Sequence, residues 1–91
     1  MQCESKWYVY ILRCADQTLY TGITNRLQQR LRAHNAGKGA KYTKGRRPVH
    51  LLYWETCTDK SAALKREAAI KKMKRAEKLL LCKSAEEKQL F

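Results

Sequence analysis

The chain is poor in several things at once. It has one proline and four glycines in 91 residues, so it is neither a collagen-like nor a low-complexity sequence. No apolar run approaches the length needed to span a bilayer; Leu79-Leu80-Leu81-Cys82 is among the longest. No basic leader precedes an apolar segment at the N-terminus, so a secretory signal is not expected. The four cysteines, Cys3, Cys14, Cys57 and Cys82, form no CxxC and no Cys/His cluster. A structural zinc site is therefore not expected, and free thiols in a cytoplasmic protein are. Acidic residues are few beside basic ones: 8 Asp+Glu against 20 Lys+Arg gives a formal charge of +12.

That surplus suits a polyanionic partner, most commonly nucleic acid. A solubility surface, a membrane-surface protein or a ribosome-associated scaffold needs only the charge as well. A chain of this length makes one domain, which buries about 60–65% of its unfolded surface.

KWYVYILR, residues 6–13, is rich in aromatic and β-branched residues and reads as a strand. Ala15-Asp16-Gln17 is a turn, and TLYTG at 18–22 returns as a second strand. Thr24 is the expected N-cap of a helix over about 25–35, with Ile23, Leu27 and Leu31 as its apolar stripe. Gly37 stands where a helix ends in a left-handed residue. GKGAKYTKGRR at 37–47 is a basic loop. A third strand is expected over 49–57, a helix over 60–73 capped at Thr58-Asp59, and a short helix over 75–83. Leu64, Ala68 and residues 70–73 are the expected buried side of the 60–73 helix. Ser84 and Glu87 fit a capping box. The expected fold is α/β of the α+β kind: a small three-stranded antiparallel sheet flanked by helices, in the order β-β-α-β-α-α. Residues 1–5 and 84–91 are expected to be tails around a domain at 6–83.

Arg26, Arg30 and His34 recur at a step of four. On a helix they share one face, about 100° from the leucine stripe, which makes them surface and not core. Guanidinium groups are forked donors suited to phosphate oxygens. A histidine beside them can move a proton near neutral pH.

With Tyr8-Val9-Tyr10 on the first strand and Tyr20-Thr21-Gly22 on the second, the chain resembles the GIY-YIG nuclease superfamily. The resemblance runs over about 6–83, and the GKGAKYT loop points to the small stand-alone bacterial members (YhbQ-type). Tyr8 stands where the first motif has glycine, and nine residues separate Tyr10 from Tyr20. The resemblance implies a metal-dependent endonuclease that hydrolyses DNA phosphodiester bonds. It implies catalytic roles for Tyr10, Tyr20, Arg30, His34 and Glu67, with Gly22 as a structural motif residue. Glu67 would hold one Mg²⁺ or Mn²⁺, and a tyrosine would assist the attacking water. The two tyrosines are assigned jointly, with His34 as a relay to one of them. Arg26, Lys41, Tyr42, Lys44, Arg46 and Arg47 are the expected nucleic-acid contacts, Tyr42 by stacking on a base. The partner implied is nucleic acid, most readily DNA, in a setting such as DNA repair, with a protein partner supplying specificity. No membrane is implied. The alternative is a binding module that keeps the fold without cutting.

The bare residues also allow less. Tyr10 and Tyr20 read singly are ordinary strand aromatics, and Glu67 can simply pair with Lys71 at i+4. Glu55 and His50 read as surface or structural residues. The two tyrosines share a sheet face only if the turn has an odd residue count or a bulge intervenes. A two-residue turn at Asp16-Gln17 would set them on opposite faces.

Overall fold

A computed structural model describes the backbone of residues 6–89 and side chains as far as residue 83. Cys3, the expected 1–5 tail and residues 90–91 lie outside the described residues.

Three strands form one antiparallel sheet: β1 (Trp7–Arg13), β2 (Leu19–Thr24) and β3 (His50–Cys57). Their spatial order is β2-β1-β3, so the most apolar strand is the central one. Val9, Tyr10, Ile11 and Leu12 of β1 are all buried, because helices cover both faces. The helices are α1 (Leu27–Asn35), the single turn α2 (Lys41–Lys44), α3 (Lys60–Lys71) and α4 (Arg75–Gln89).

Ala15-Asp16-Gln17 is a three-residue connection. Cys14 N–H donates to Thr18 O at 2.9 Å, and Gln17 N–H to Cys14 O at 2.9 Å. Gln17 takes the left-handed conformation, φ 71°, that closes such a loop. The Asp16 carboxylate accepts from Thr18 N–H at 3.1 Å and from the Thr18 hydroxyl at 2.5 Å. The odd count sets the register: Tyr10 faces Gly22 and Leu12 faces Tyr20. All four therefore share one face. On the other side of β1, Tyr10 opposes Trp54, and Leu52 is an extra residue on β3 where the register shifts.

The two faces make two cores. Tyr10, Leu12, Cys14 and Val49 pack with Tyr20, Leu27, Leu31 and Leu51 under α1. Val9, Ile11, Tyr53, Ala63, Ile70 and Cys82 pack on the opposite face under α3 and α4. Asp59 caps α3, accepting Ala62 N–H at 2.8 Å. Gly37 follows α1 with φ 81°.

Several expectations need correction. β2 runs on to Thr24, because Ile23 and Thr24 pair with Val9 and Tyr8. Ile23 thus belongs to the sheet and the α3 side, not to the α1 stripe. α1 begins at Leu27, and the Thr24 hydroxyl accepts Arg26 N–H in the turn before it. Leu64 is 45% exposed and Ala68 is exposed, while Ala63 and Ile70 carry the buried side of α3. The basic loop holds α2. α4 runs unbroken from Arg75 to Gln89, so there is no helix boundary at Ser84.

Candidate active site

The site is built outward from Tyr10 on the central strand. Its cross-strand partner, Gly22, has no side chain, so the phenol ring leans across β2. A β-carbon on Gly22 would lie 2.7 Å from Tyr10 Oη and 2.8 Å from Cζ, and 3.0 Å from the Tyr20 ring. Tyr20 sits on the same face, its ring centroid 6.3 Å from that of Tyr10.

The last turn of α1 brings His34 to both rings, with centroids 5.9 Å from Tyr10 and 5.3 Å from Tyr20. His34 Nε2 lies 3.0 Å from Tyr10 Oη. Its Nδ1 lies 2.7 Å from Thr43 Oγ1 on α2. The Thr43 hydroxyl donates to Ala40 O at 2.9 Å, so its oxygen accepts from His34 Nδ1–H. This network assigns a bare Nε2 that accepts the Tyr10 O–H. Ala40 N–H, which points at Nδ1 from 3.5 Å, favours the opposite tautomer but is the longest contact of the set.

His34 is fully buried, against the surface position expected from its helical step. The tyrosine rings lie on one side of the imidazole, and the 39–43 segment closes the other. A β-carbon on Gly39 would meet His34 Nδ1 at 2.4 Å and the His34 Cα at 2.9 Å. Thr43 and Gly39 thus fix the ring, and sequence reasoning gave neither a role. Their signal was a lone threonine and a glycine inside a stretch otherwise read as cationic.

Burial pushes the Tyr10 phenol above the ordinary tyrosine range, Arg30 pulls it back, and the charges of Tyr20 and Glu67 push it up again. Burial, then the Arg30 charge, holds His34 below the usual histidine range and so neutral near pH 7. Arg30, half-buried one turn before His34, acts on both partners of the pair. Glu67 comes from α3 with its side chain 18% exposed, and its carboxylate pairs with Lys71 Nζ at 3.4 Å.

The other basic residues divide. Lys41 and Lys44 are exposed. Arg46 is engaged: Nε donates to Asp16 at 2.9 Å and Nη1 to Tyr42 O at 2.8 Å, and the guanidinium lies 4.1 Å above the Tyr42 ring. Arg47 donates to Lys44 O at 2.9 Å and to Asn35 O at 3.4 Å. Tyr42 is 39% exposed and extends the ring series, 5.7 Å from Tyr20. Arg26 stands at the N-cap of α1, its Nη1 3.4 Å from Gln29 Oε1, and is exposed. His50 is exposed as expected. Glu55 is half-buried on the far face, paired with Arg66 and accepting from Tyr53 Oη at 2.7 Å.

Residues 6–79 match the family described as the GIY-YIG catalytic domain. The chain belongs to the GIY-YIG family. As a GIY-YIG domain it is a nuclease by descent, with nucleic acid as the class of substrate. It is 63% identical over 76 residues to a UPF0213 protein of Lactiplantibacillus plantarum, covering 81% of this chain and 75% of that one. It is 60% identical over 85 residues to a UPF0213 protein of Syntrophus aciditrophicus, covering 92% and 98%. Among solved structures, the GIY-YIG chain resembles the UPF0213 protein of Bacillus halodurans at TM-score 0.54 and 41% identity, covering 84% and 81%. A protein of E. faecalis matches at TM-score 0.58 and 37% identity, covering 89% and 88%. This chain spans three quarters or more of each of these relatives.

GIY-YIG nucleases generally use a divalent metal. Among the described residues no three His, Cys, Asp or Glu side chains gather into a metal cage. A single half-buried carboxylate, Glu67, fits a hard cation that keeps most of its water, as Mg²⁺ does. It does not fit a thiolate or imidazole site.

Proposed function

We propose that the chain is a metal-dependent endonuclease that hydrolyses DNA phosphodiester bonds through the Tyr10–His34 pair. The observation that carries this reading is the 3.0 Å contact of Tyr10 Oη with His34 Nε2, with Arg30 and Glu67 acting electrostatically on the same phenol. Water attacks phosphorus, and its proton passes to the tyrosine pair. Tyr10 relays it: its hydroxyl takes the water's proton as it gives its own to the bare Nε2 of His34, and the P–O bond to the leaving oxygen breaks with that oxygen protonated from solvent. Tyr20, half-buried beside Tyr10, orients the water. Arg30 holds a non-bridging phosphate oxygen in the geometry that tightens as charge builds. Glu67 would hold Mg²⁺ or Mn²⁺, which would supply charge stabilisation at the leaving oxygen. Lys41, Lys44 and Tyr42 contact the strand beyond the cut.

A non-catalytic binding module is favoured by one observation, the Glu67–Lys71 pair, which engages the carboxylate assigned to the metal. Glu67→Ala separates the readings. For the nuclease, metal-dependent cleavage of plasmid, single-stranded or branched DNA is abolished and affinity is kept. Equal activity in both proteins assigns the cutting to a contaminant and overturns the reading.

The free thiols Cys14 and Cys57 support a reducing compartment, the cytoplasm. No helix among the described residues is long and apolar enough to cross a membrane. A protein partner that selects the target, in DNA repair for example, is part of the proposal.

A further inference from the structure

The face that carries Tyr10 continues past it to Trp54, its direct partner on β3. Trp54 is 40% exposed, an unusual position for the largest side chain on a sheet that helices otherwise cover. Tyr8 holds its ring edge-to-face, with centroids 5.9 Å apart and planes at 73°. Between this aromatic pair and the start of α1 lies a groove of about 480 Å³. Arg26, Leu27, Gln28 and Arg32 are among its other lining residues, and none of the lining residues is acidic. A second hollow of about 410 Å³ shares Asn25, Arg26 and Gln29 with the first and adds Arg30. The two hollows are neighbours, with Asn25, Arg26 and Gln29 lining both, so they lie in succession between the Trp54 ring and the arginine of the candidate site.

We infer that this groove binds an unpaired nucleobase of the strand whose phosphate reaches Arg30. The inference rests on the nuclease reading only for that neighbouring phosphate. A base inside a duplex has both faces stacked on its neighbours and cannot offer one to Trp54 without being extruded. A single-stranded base has a free face, and an exposed indole is the strongest platform for it. Gln28 supplies amide donors and acceptors at the base edge. Arg26 and Arg32 supply guanidinium groups to the flanking phosphates. The substrate class that follows is nucleic acid with a single-stranded segment beside the cut, and not a continuous duplex.

The test is equilibrium binding of labelled DNA in chelator, read by fluorescence anisotropy. The probes are a single strand, the blunt duplex of the same sequence, and a single strand with abasic sites. Trp54→Ala is expected to weaken single-strand binding about tenfold, the effect of one lost base stack, and to leave the duplex and abasic strand within about twofold. Trp54→Phe should retain most of the single-strand affinity. The chain has two tryptophans, so in Trp7→Phe all indole emission comes from Trp54, and the single strand should quench it with the affinity seen by anisotropy. Equal losses on single strand and duplex, no loss on either, or no quenching each overturn the inference. If Trp54→Ala does not fold, Trp54→Phe and the quenching decide. Without metal no cleavage enters the measurement, so an inactive nuclease leaves the result intact. A true nuclease indifferent to Trp54 fails this inference alone.

Discussion

The Tyr10 ring lies on Gly22, close enough that a β-carbon there would stand 2.7 Å from the phenol oxygen. The second-motif glycine is thus explained by contact and not by backbone freedom: its φ is not in the left-handed region. Gly22 is empty so that a large side chain from the next strand can cross it and reach His34.

Gly22→Ala should therefore damage the site more than the strand. Tyr10 is buried and cannot swing clear, so overpacking should cost about 1–3 kcal/mol in denaturant unfolding. The phenol must shift from His34, and turnover should fall by about 10²-fold, the usual effect of a displacement near 1 Å. Turnover unchanged in a folded Gly22→Ala protein would detach the Tyr10 position from catalysis.

The pH profile should report His34. Burial and Arg30 favour the neutral ring, so its folded pKa lies below the ordinary 6.5. The stability this contributes is full above the unfolded value and is lost as pH falls through the folded one. Protonation also removes the acceptor for Tyr10, so cleavage should fall on an acid limb below 6.5. His34→Gln should lower the rate by about 10²–10⁴ and abolish that limb. An acid limb that survives the substitution would assign it to another group.

Lysines and arginines of the 41–47 segment should behave differently. Lys41→Ala and Lys44→Ala should each reduce the salt slope of duplex binding by about 0.9, the loss of one phosphate contact. Arg46→Ala should act mainly on stability. Its pair with Asp16 is 38% and 46% exposed on the two sides, so solvent screens most of it. The contact over Tyr42 adds about 0.5–1 kcal/mol. Melting curves and salt titrations of the three variants separate the two roles.

On the far face, burial and the hydrogen bond to Glu55 push the Tyr53 phenol up to about 12. A raised pKa means that its contribution is full below the unfolded value of 10.0 and is lost as pH rises through the folded one. Tyr53→Phe should cost about 1 kcal/mol at neutral pH. It should also remove the latest phenolate absorbance step of an alkaline titration. That step persisting in the variant would contradict the Tyr53–Glu55 bond.

The sequence by itself determined the order of the strands and longer helices, though not the single turn α2, together with the antiparallel sheet, the Asp59 cap and the left-handed Gly37, because each depends on local pattern or on a residue's own stereochemistry. It also carried the family motifs, and with them Tyr10, Tyr20, Arg30, His34 and Glu67 as candidates. Tertiary structure decided what those residues are to one another. The register that sets Tyr10 and Tyr20 on one face came from the count of a three-residue turn, which composition alone left open. His34 was read as a surface residue because its helical step lies off the leucine stripe. Burial on a helix is settled by everything that packs against it, and here the tyrosine rings and the 39–43 segment enclose the ring. Leu64 failed in the opposite sense: an apolar residue at a plausible spacing stays 45% exposed, while Ala63 beside it is fully buried. Local chemistry fixes the elements, but enclosure is a property of the assembled chain.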